Sequence, residues 1–441
     1  MSLTPFERDL VHAVAEQRDE LVALASDLVR FDTTAREVGD PAREEAALQA
    51  RLAERLRDAG AEVDVWEPHA TELAGRPLVP DGIDFVGRPQ LAATFHGGGG
   101  GRSLLLNGHI DVVSGEPREQ WTSDPNEPEV RDGRLYGRGA CDMKGGIAAM
   151  VVAAETVTRS GRLAGDLTVC TNTDEESSGA GGMALVARGV RADAGIAPEP
   201  TGFDVWNACR GSVLATIEVA GRPGHAEMPQ PHWRDGGAVN AIEKANLVLD
   251  VLRTLRGEWL QRGALAHAEL APADIIPTAV AAGEWLVTYP ASCRITCVLP
   301  YPPAQADEDG WSSTVEREVA ERIARAAAKD DWLADNPPSL TWFAGVMPMD
   351  IPADSPIVTT VLGASSDVGR RGRPAGLNSW FDGATLTRFA GTPTVAFGPS
   401  GKDVAHTVDE FVPIDDLVAC AQAIAVAAAR FCGLSSAVGG A

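Results

Sequence analysis

Short strand-like runs alternate with helical segments along the first half of the chain, and this alternation constrains the fold more than any other feature. The strand-like runs are residues 61–66, 90–95, 103–111 and 166–173. Apolar positions at helical spacing occupy residues 7–30, 42–59, 145–158 and 181–189. Such alternation predicts an α/β layer structure with a largely parallel sheet. Five glycines at 97–101 predict a loose hairpin turn between two of the strands.

The pattern changes near Arg210 and returns to the α/β type after about residue 350. Strand, helix, two strands, helix and strand are predicted at residues 213–221, 238–255, 275–288, 292–299, 312–329 and 339–347. This βαββαβ order is typical of a small antiparallel sheet with two helices on one face. A buried strand at 392–400 and a closing helix at 414–432 complete the chain. We therefore predict a main domain formed by residues 1–209 and 350–441, with residues 210–349 inserted.

Composition limits the classes of partner. The 441 residues include 38 Lys and Arg against 62 Asp and Glu, a net charge of -24, which disfavours nucleic acid and anionic membrane surfaces. No apolar run approaches the roughly 18 residues that span a bilayer, and residues 1–10 lack the features of a secretory signal. Seven scattered cysteines, without the second close pair that a zinc knuckle needs, favour a reducing cytoplasm.

His109 and Asp111 lie at the predicted carboxyl end of a leucine-rich strand, where α/β sheets place their ligands. Residues two apart on a strand share a face, so Asp111 can hold one nitrogen of the imidazole while the other faces a metal. A solvated His–Asp pair in a turn is the alternative for this motif.

Further acids and a second histidine follow other predicted strands or loops. Asp142 lies among glycines before the 145–158 helix, and a helix N-cap is its alternative role. Glu175 and Glu176 follow the 166–173 strand, so that one can bind a metal while the other stays free as a base. The remaining two candidates are Glu199, between prolines, and His406, after the 392–400 strand. A solvated loop, a rigid turn and a capping histidine are the respective alternatives.

Charge arithmetic on this set favours two divalent ions over one. Two ions bring a charge of +4, and Asp142, Glu176 and Glu199 bring -3, which leaves +1 to stabilise a bound hydroxide. One ion with three carboxylates would be net negative and would acidify water less. Two ions that share a bridging carboxylate form the clamp used in hydrolysis of amides and phosphates.

Six motifs in one order resemble the di-zinc aminoacylases and deacetylases. This family includes acetylornithine deacetylase, succinyl-diaminopimelate desuccinylase, aminoacylase and the glutamate-releasing carboxypeptidases. The motifs are NGHIDVV (107–113), WTSDP to DGRLYGRGACDMKGG (121–146), TDEESSGAGG (173–182), EPT (199–201), GRPGHAEMP (221–229) and GPSGKDVAHTVDE (398–410). The resemblance implies a zinc-peptidase-like mixed sheet flanked by helices, with an inserted lid and dimerisation domain.

The resemblance also implies a role for each matched residue. The metal ligands would be His109 and Glu199 on one zinc, Glu176 and His406 on the other, and Asp142 between them. Asp111 would orient His109, and Glu175 would be the general acid and base. His225, in the lid motif, would stabilise the oxyanion, often in the site of the partner subunit.

The chain departs from the family pattern at the end of the third lid strand. Leu299 stands where many relatives have an arginine that helps to bind the substrate carboxylate. Arg294 has the opposite parity on that strand and is not a simple replacement. Gly398-Pro399-Ser400 replaces the usual Gly-Pro-Gly, which is a milder change.

These features predict a cytoplasmic, homodimeric hydrolase that cleaves the amide bond of N-acyl amino acids. It would use two divalent ions, with zinc as the expected metal and cobalt or manganese as alternatives. A dipeptidase or carboxypeptidase on the same centre is the main alternative, and a non-catalytic metal-binding protein is an alternative of another class. A dinucleotide site at Gly179–Ala184 is disfavoured because Asp174, Glu175 and Glu176 would repel a pyrophosphate. A serine hydrolase is disfavoured because no Gly-x-Ser-x-Gly elbow occurs.

Overall fold

The computed structural model describes residues 2–263 and 267–435. Its helices are α1 (Pro5–Glu16), α2 (Arg18–Arg30), α3 (Glu45–Asp58), α4 (Ala70–Leu73), α5 (Lys144–Thr158), α6 (Ala180–Arg188), α7 (Ala241–Leu260), α8 (Ser313–Ala327), α9 (Asp331–Asp335), α10 (Pro356–Asp367), α11 (Gly383–Phe389) and α12 (Ile414–Cys432). Its strands are β1 (Glu62–Trp66), β2 (Gln90–Phe95), β3 (Leu104–His109), β4 (Glu129–Arg131), β5 (Arg134–Tyr136), β6 (Leu167–Asn172), β7 (Ala194–Ala197), β8 (Val205–Cys209), β9 (Gly211–Ala220), β10 (Ile276–Ala282), β11 (Ser292–Tyr301), β12 (Ser339–Val346), β13 (Met349–Asp350), β14 (Pro374–Leu377), β15 (Thr394–Ala396) and β16 (Phe411–Pro413).

The chain divides into two compact units. Unit 1 contains Met1–Ala208, Ile351–Gly376 and Phe381–Ala441, and unit 2 contains Cys209–Asp350 and Leu377–Trp380. The main boundaries lie within about one residue of those expected from the sequence. The short return of the chain to unit 2 at residues 377–380 has no sequence signal. That each unit is a separate folding domain stays a prediction.

Unit 1 is built on a mixed sheet. Its strands follow the order β1-β2-β6-β3-β7-β15-β8, and β14 pairs with β8. The central strands β6, β3, β7 and β15 run parallel, whereas β1 and β2 are antiparallel to their neighbours. The expectation of an α/β fold with helix-flanked strands is therefore confirmed.

The predicted hairpin at 97–101 is wrong, because β6 lies between β2 and β3. These glycines serve close backbone packing instead. A Cβ on Gly97 would lie 2.4 Å from the carbonyl oxygen of Gly165, and a Cβ on Gly101 would lie 2.0 Å from that of Cys432. A run of glycines predicts a turn from sequence, but here it allows one loop to cross others closely.

Helices cover both faces of the central strands. α5, whose residues Lys144–Val157 are all buried, packs against α12, α2 and β3. On the other face, α6 and α11 pack together over residues of β3 and β6. The residues with the helical pattern at 7–30 form two helices, because helical structure is interrupted at Gln17. The Gln17 side chain donates to Ala13 O and Thr156 Oγ1 at 2.9 Å.

Unit 2 follows the predicted βαββαβ order. Its antiparallel sheet has the order β10-β11-β9-β12, and α7 and α8 cover one face. Strand β9 alternates, so that Val213, Ala215, Ile217 and Val219 point into the core under the helices. The run predicted at 275–288 is shorter in the structure, since β10 ends at Ala282. Among the described residues of the chain, no helix has both the length and the apolarity to cross a membrane.

Candidate metal centre

The carboxyl ends of β6, β3, β7 and β15 lie side by side, and the loops after them carry the predicted ligands. β3 ends at His109, which is in register with Asn172 at the end of β6. The loops that follow β6, β7 and β15 contain Glu175 and Glu176, Glu199, and His406, respectively. The carboxyl edge of a parallel sheet is where α/β proteins form their ligand sites.

Asp142 precedes α5, and its carboxylate lies between the two histidines. Oδ1 is 3.2 Å from His109 Nε2, and Oδ2 is 3.4 Å from His406 Nε2. The His109 side chain is only 2% exposed, and that of His406 is 50% exposed. One carboxylate thus offers a different oxygen to each imidazole, as a ligand shared by two cations must do.

Each histidine also has a glutamate of its own. Glu176 Oε1 is 2.8 Å from His406 Nε2, and Glu199 Oε2 is 3.9 Å from His109 Nε2. Ligand atoms of His109, Asp142 and Glu176 all lie within 4.8 Å of one another. The structure therefore brings all five predicted ligands together, in two sets that share Asp142.

Close backbone contacts hold Glu199 in this group. A Cβ on Gly146, in the first turn of α5, would lie 2.1 Å from the carbonyl oxygen of Pro198. A Cβ on Gly398 would lie 2.3 Å from the carbonyl oxygen of Glu199. Both distances are shorter than real Cβ contacts, so only glycine lets α5 and the 398 loop approach the Glu199 backbone this closely.

Asp111 supports the site differently from the expectation. His109 Nδ1 lies 2.8 Å from the main-chain oxygen of Asp111, whereas its distance to the Asp111 carboxylate is 3.8 Å. The carboxylate instead accepts the backbone N–H groups of Glu175 and Glu176, at 3.2 and 3.0 Å. A carbonyl can only accept, so Nδ1 carries a proton, and Nε2 is the nitrogen that would give its electron pair to a bound metal.

The loop that carries the two glutamates is also held by a buried ion pair. Arg36 Nε donates to Asp174 Oδ1 at 3.0 Å, and both side chains are 3% exposed. Asp174 has a φ of 63°, a left-handed conformation that costs energy for a residue other than glycine. The ion pair and the Asp111 contacts together fix the position of the backbone from which the Glu175 and Glu176 side chains extend.

The centre has a large excess of buried and half-buried acid. Six carboxylates lie in or beside it, and in the part of the chain that the structure describes their ion pairs involve only histidines. They are Asp111, Asp142, Glu175, Glu176, Glu199 and Asp382.

Four of these carboxyl groups, those of Asp111, Glu175, Glu199 and Asp382, have raised pKa values, chiefly because burial disfavours their ionised forms. Burial, reinforced by neighbouring carboxylates, raises the pKa of Glu175 and of Glu199 well above the usual range. Burial and nearby acids raise the pKa of Asp111 to about 7. Hydrogen bonds to Asp142 and Glu176 raise the pKa of His406 to about 10. A set of imidazole and carboxylate donors with no thiolate fits divalent zinc, cobalt or manganese.

Comparison with known proteins decides the family. Residues 105–430 match the family model described as Peptidase family M20/M25/M40. The chain belongs to this family. Its members are metal-dependent hydrolases, which agrees with the donor set and confirms the resemblance seen in the sequence motifs.

Relatives within the family differ in their reactions. The chain is 26% identical over 422 residues to N-formyl-4-amino-5-aminomethyl-2-methylpyrimidine deformylase of Bacillus subtilis (strain 168), covering 92% of this chain and 93% of the relative. It is 30% identical over 354 residues to acetylornithine deacetylase of Myxococcus xanthus, covering 79% and 85%. Aminopeptidase PepT from Bacillus cereus ATCC 10987 has a similar fold, with a TM-score of 0.68, 18% identity, and coverage of 93% and 99%.

The remaining positions singled out from sequence lie in unit 2 or in the last loop. His225 is on an exposed loop of unit 2, where its Nδ1 accepts the N–H of Glu227 at 3.3 Å, and its catalytic role stays a prediction. Leu299 is 1% exposed in the unit 2 core with residues of α7 and α8, and Arg294 is paired with Glu218 at 2.8 Å. Ser400 has a φ of 61°, a left-handed conformation that favours glycine.

Sequence reasoning missed Asp382. This residue is 2% exposed, and its Oδ2 accepts a 2.5 Å hydrogen bond from Asn172 Nδ2, whereas its Oδ1 has no partner among the described residues. Burial raises its pKa to about 6. An aspartate directly before a helix predicts an N-cap, and Asp382 does occupy that position in α11 but makes no capping hydrogen bond. Only the fold reveals its neighbours.

Proposed function

We propose that this member of the M20 family cleaves the amide bond of an N-acyl amino acid, as a deacylase that uses two divalent ions, zinc first among them. One observation carries the proposal: the Asp142 carboxylate lies between the His109–Glu199 set and the His406–Glu176 set. A shared carboxylate flanked by two nitrogen–oxygen pairs suits two ions and has no evident purpose for one.

Bound ions would supply Lewis acidity, lowering the pKa of a water molecule and polarising the amide carbonyl. Glu175 is the base in this proposal. Its side chain is half-buried beside the ligands Glu176, Glu199 and His109, and in this proposal it takes a proton from water. The same carboxyl group then gives that proton to the leaving nitrogen as the C–N bond breaks. His225 is proposed to donate a hydrogen bond to the oxyanion, from the partner subunit of a dimer.

The acyl group is proposed to be small. The likeness to the Bacillus subtilis deformylase over most of the chain favours formyl beside acetyl and succinyl groups. Leu299 stands in place of the carboxylate-binding arginine, so in this proposal another residue binds the carboxylate of the amino-acid half. A dipeptidase or carboxypeptidase would use the same centre and remains the second candidate. A non-catalytic role is disfavoured because Glu175 and all five ligands are present together.

A homodimer through unit 2 is part of the proposal. All seven residues of β10, at the edge of the unit 2 sheet, are exposed. An uncharged edge strand with open hydrogen-bonding groups is a template for pairing with another chain.

A cytoplasmic location is also proposed, supported by seven cysteines that are all buried rather than placed at the surface.

Metal analysis followed by a substrate screen tests the function. Purified protein should contain about two divalent ions per chain, as the two ligand sets require. Ninhydrin detection should then show amine release from formyl-, acetyl- or succinyl-amino acids, or from an N-formyl aminomethylpyrimidine, and little from dipeptides. Release from dipeptides alone would favour the peptidase candidate. Full activity after treatment with a chelator would contradict the metal mechanism.

A further inference from the structure

A second buried carboxylate, outside the ligand set, holds the backbone that carries Asp142. Glu410 is 0% exposed, and its Oε1 accepts the N–H groups of Cys141 and Asp142 at 2.8 and 3.0 Å. Its Oε2 accepts from Arg138 Nη1 at 2.5 Å. Its main-chain oxygen accepts the N–H of Gly137 at 3.0 Å. Four hydrogen bonds therefore join one residue to the 137–142 segment.

Glu410 also belongs to the segment that carries His406, four residues earlier. This segment is anchored next to Glu410, where the Asp409 carboxylate accepts the N–H and Oγ1–H of Thr122 at 2.8 and 2.6 Å. The loop that presents one ligand thus holds the backbone of another. A change in Glu410 would move Asp142 relative to His406 rather than move either alone.

The bridging geometry depends on this relation. Asp142 must keep one oxygen near each histidine, at the present 3.2 and 3.4 Å. Metal and catalytic groups need to be placed within about 0.5 Å of their working positions. Two backbone hydrogen bonds from adjacent residues to a single oxygen fix both the position and the direction of the 141–142 peptide, from which the Asp142 side chain extends.

Stability alone does not account for this pair. Burying a carboxylate and a guanidinium carries a desolvation cost of several kcal/mol for each ion, which only good partners repay. Arg138 is 5% exposed and its Nε has no hydrogen-bond partner in the described part of the chain. A further hydrogen bond, from Nη2 to Ser114 O at 3.1 Å, holds it against the same region.

We propose that Glu410, locked by Arg138, is a positioning residue that sets the metal affinity of the centre by fixing the Asp142 backbone relative to His406. This inference rests on the proposed metal-dependent function. Its residues contact the ligand-bearing backbone and not the ions, so their effect should appear in metal binding before any substrate is present. Loss of a supporting contact around metal ligands typically weakens metal binding 10- to 100-fold.

Cobalt binding by chelator-treated full-length protein tests it. Co²⁺ titration, followed by calorimetry and by visible absorption, should show at least about tenfold weaker binding and an altered ligand-field spectrum for Glu410→Gln. The amide presents N–H groups to Arg138, so the hydrogen bond between Arg138 and residue 410 is lost. Arg138→Met, which leaves Glu410 its backbone partners, should give a smaller change in the same direction and provides a second route if the first variant folds poorly.

Glu45→Gln is the matched control. Glu45 is 3% exposed, and its carboxylate pairs with buried Arg88 at 3.0 Å and accepts one backbone N–H, that of Arg43. It touches no ligand loop, so this variant should lose thermal stability but keep the wild-type cobalt affinity and spectrum. Folded Glu410→Gln or Arg138→Met with wild-type cobalt binding would overturn the inference. Wild-type protein that binds no cobalt would instead overturn the proposed function.

Discussion

Glu175 and Glu176 are adjacent in sequence, yet the structure gives them different surroundings. Glu176 lies 2.8 Å from His406, whereas in the described residues Glu175 forms no ion pair with a histidine. Glu175→Gln should therefore keep both metals but lose turnover by roughly 100-fold or more, the contribution of a positioned acid–base group. Glu176→Gln should lose metal as well. Metal content and kcat of both variants check this, and an active Glu175→Gln protein would show that the base is another residue.

A pH dependence follows from the buried acids of the metal-free protein. Asp111 and Asp382 have pKa values raised to about 7 and about 6 in the folded state. Each therefore destabilises the fold once ionised, and the penalty grows as pH rises from about 4 through these values. His406, with its pKa raised to about 10, adds stability that is full below about pH 6.5 and lost as pH rises through 10. All three groups act in the same direction.

Metal-free protein should thus melt several degrees lower at pH 9 than at pH 5, measured by thermal unfolding in the presence of chelator. Zinc-saturated protein is the comparison. Metal ligands bind in their deprotonated forms, so stabilisation by zinc should increase over the same pH range. A melting temperature of the metal-free protein that rises with pH would contradict this account of the centre.

At the residue scale, the sequence was enough to predict which side chains lie together, but not how each is held. His109, Glu176 and His406 were candidates because each lies at the end of a predicted strand or in the loop after it. The contact of His109 with the Asp111 main chain could not be predicted, since a carbonyl oxygen is present at every residue. Asp382 was missed because its neighbour Asn172 lies 210 positions away.

At the element scale, strand ends were predictable and strand neighbours were not. Apolar runs located β3, β6 and β15, because burial on both faces leaves a continuous hydrophobic signal. The glycines at 97–101 suggested that β2 and β3 pair, whereas the sheet places β6 between them. Pairing depends on contacts far apart in the chain, which a local pattern does not contain.

Close packing at the start of α5 gives a prediction at this scale. Gly146→Ala places a methyl group 2.1 Å from the carbonyl oxygen of Pro198 in the present structure, so the Glu199 backbone must move. Such overpacking costs roughly 1–3 kcal/mol. We expect a lower melting temperature and weaker zinc binding, measured by circular dichroism and by metal titration.

Gly257→Ala is the control for this substitution. Gly257 lies within α7, and a Cβ there would meet no atom within 4 Å. Alanine is favoured over glycine in a helix by about 1 kcal/mol, so this variant should be as stable as the wild type or more stable. If Gly146→Ala behaved in the same way, the close approach of α5 to Pro198 would not matter for the site.

At the scale of the whole molecule, a change of sequence pattern near residue 210 was sufficient to predict an inserted βαββαβ unit. Periodicity switches between buried strands and half-buried alternating strands, and this switch is visible without any tertiary information. The free edge of β10 was not visible. An edge strand has the same composition signal as an interior strand, and only the sheet order shows that one side has no neighbour.

The β10 edge makes the dimer testable. The strand, Ile276–Ala282, contains no charged residue, and Val280 is 56% exposed. Val280→Lys should convert a dimer to monomers, because a charge on an edge strand opposes pairing. Val65→Lys is the matched control: β1 is also an edge strand, but it already carries Glu62 and Asp64, so a dimer should persist. Light scattering coupled to size exclusion distinguishes the two.

Net charge adds a second requirement for the same dimer. Each chain carries -24, so two copies repel each other over a distance that salt shortens, from about 30 Å at 0.01 M to about 10 Å at 0.1 M. The dimer fraction at fixed protein concentration should therefore rise with ionic strength. Association that weakens with added salt would indicate an interface held by ion pairs, which the uncharged β10 edge does not provide. A wild-type monomer at every salt concentration would rule out the dimer and, with it, the action of His225 across subunits.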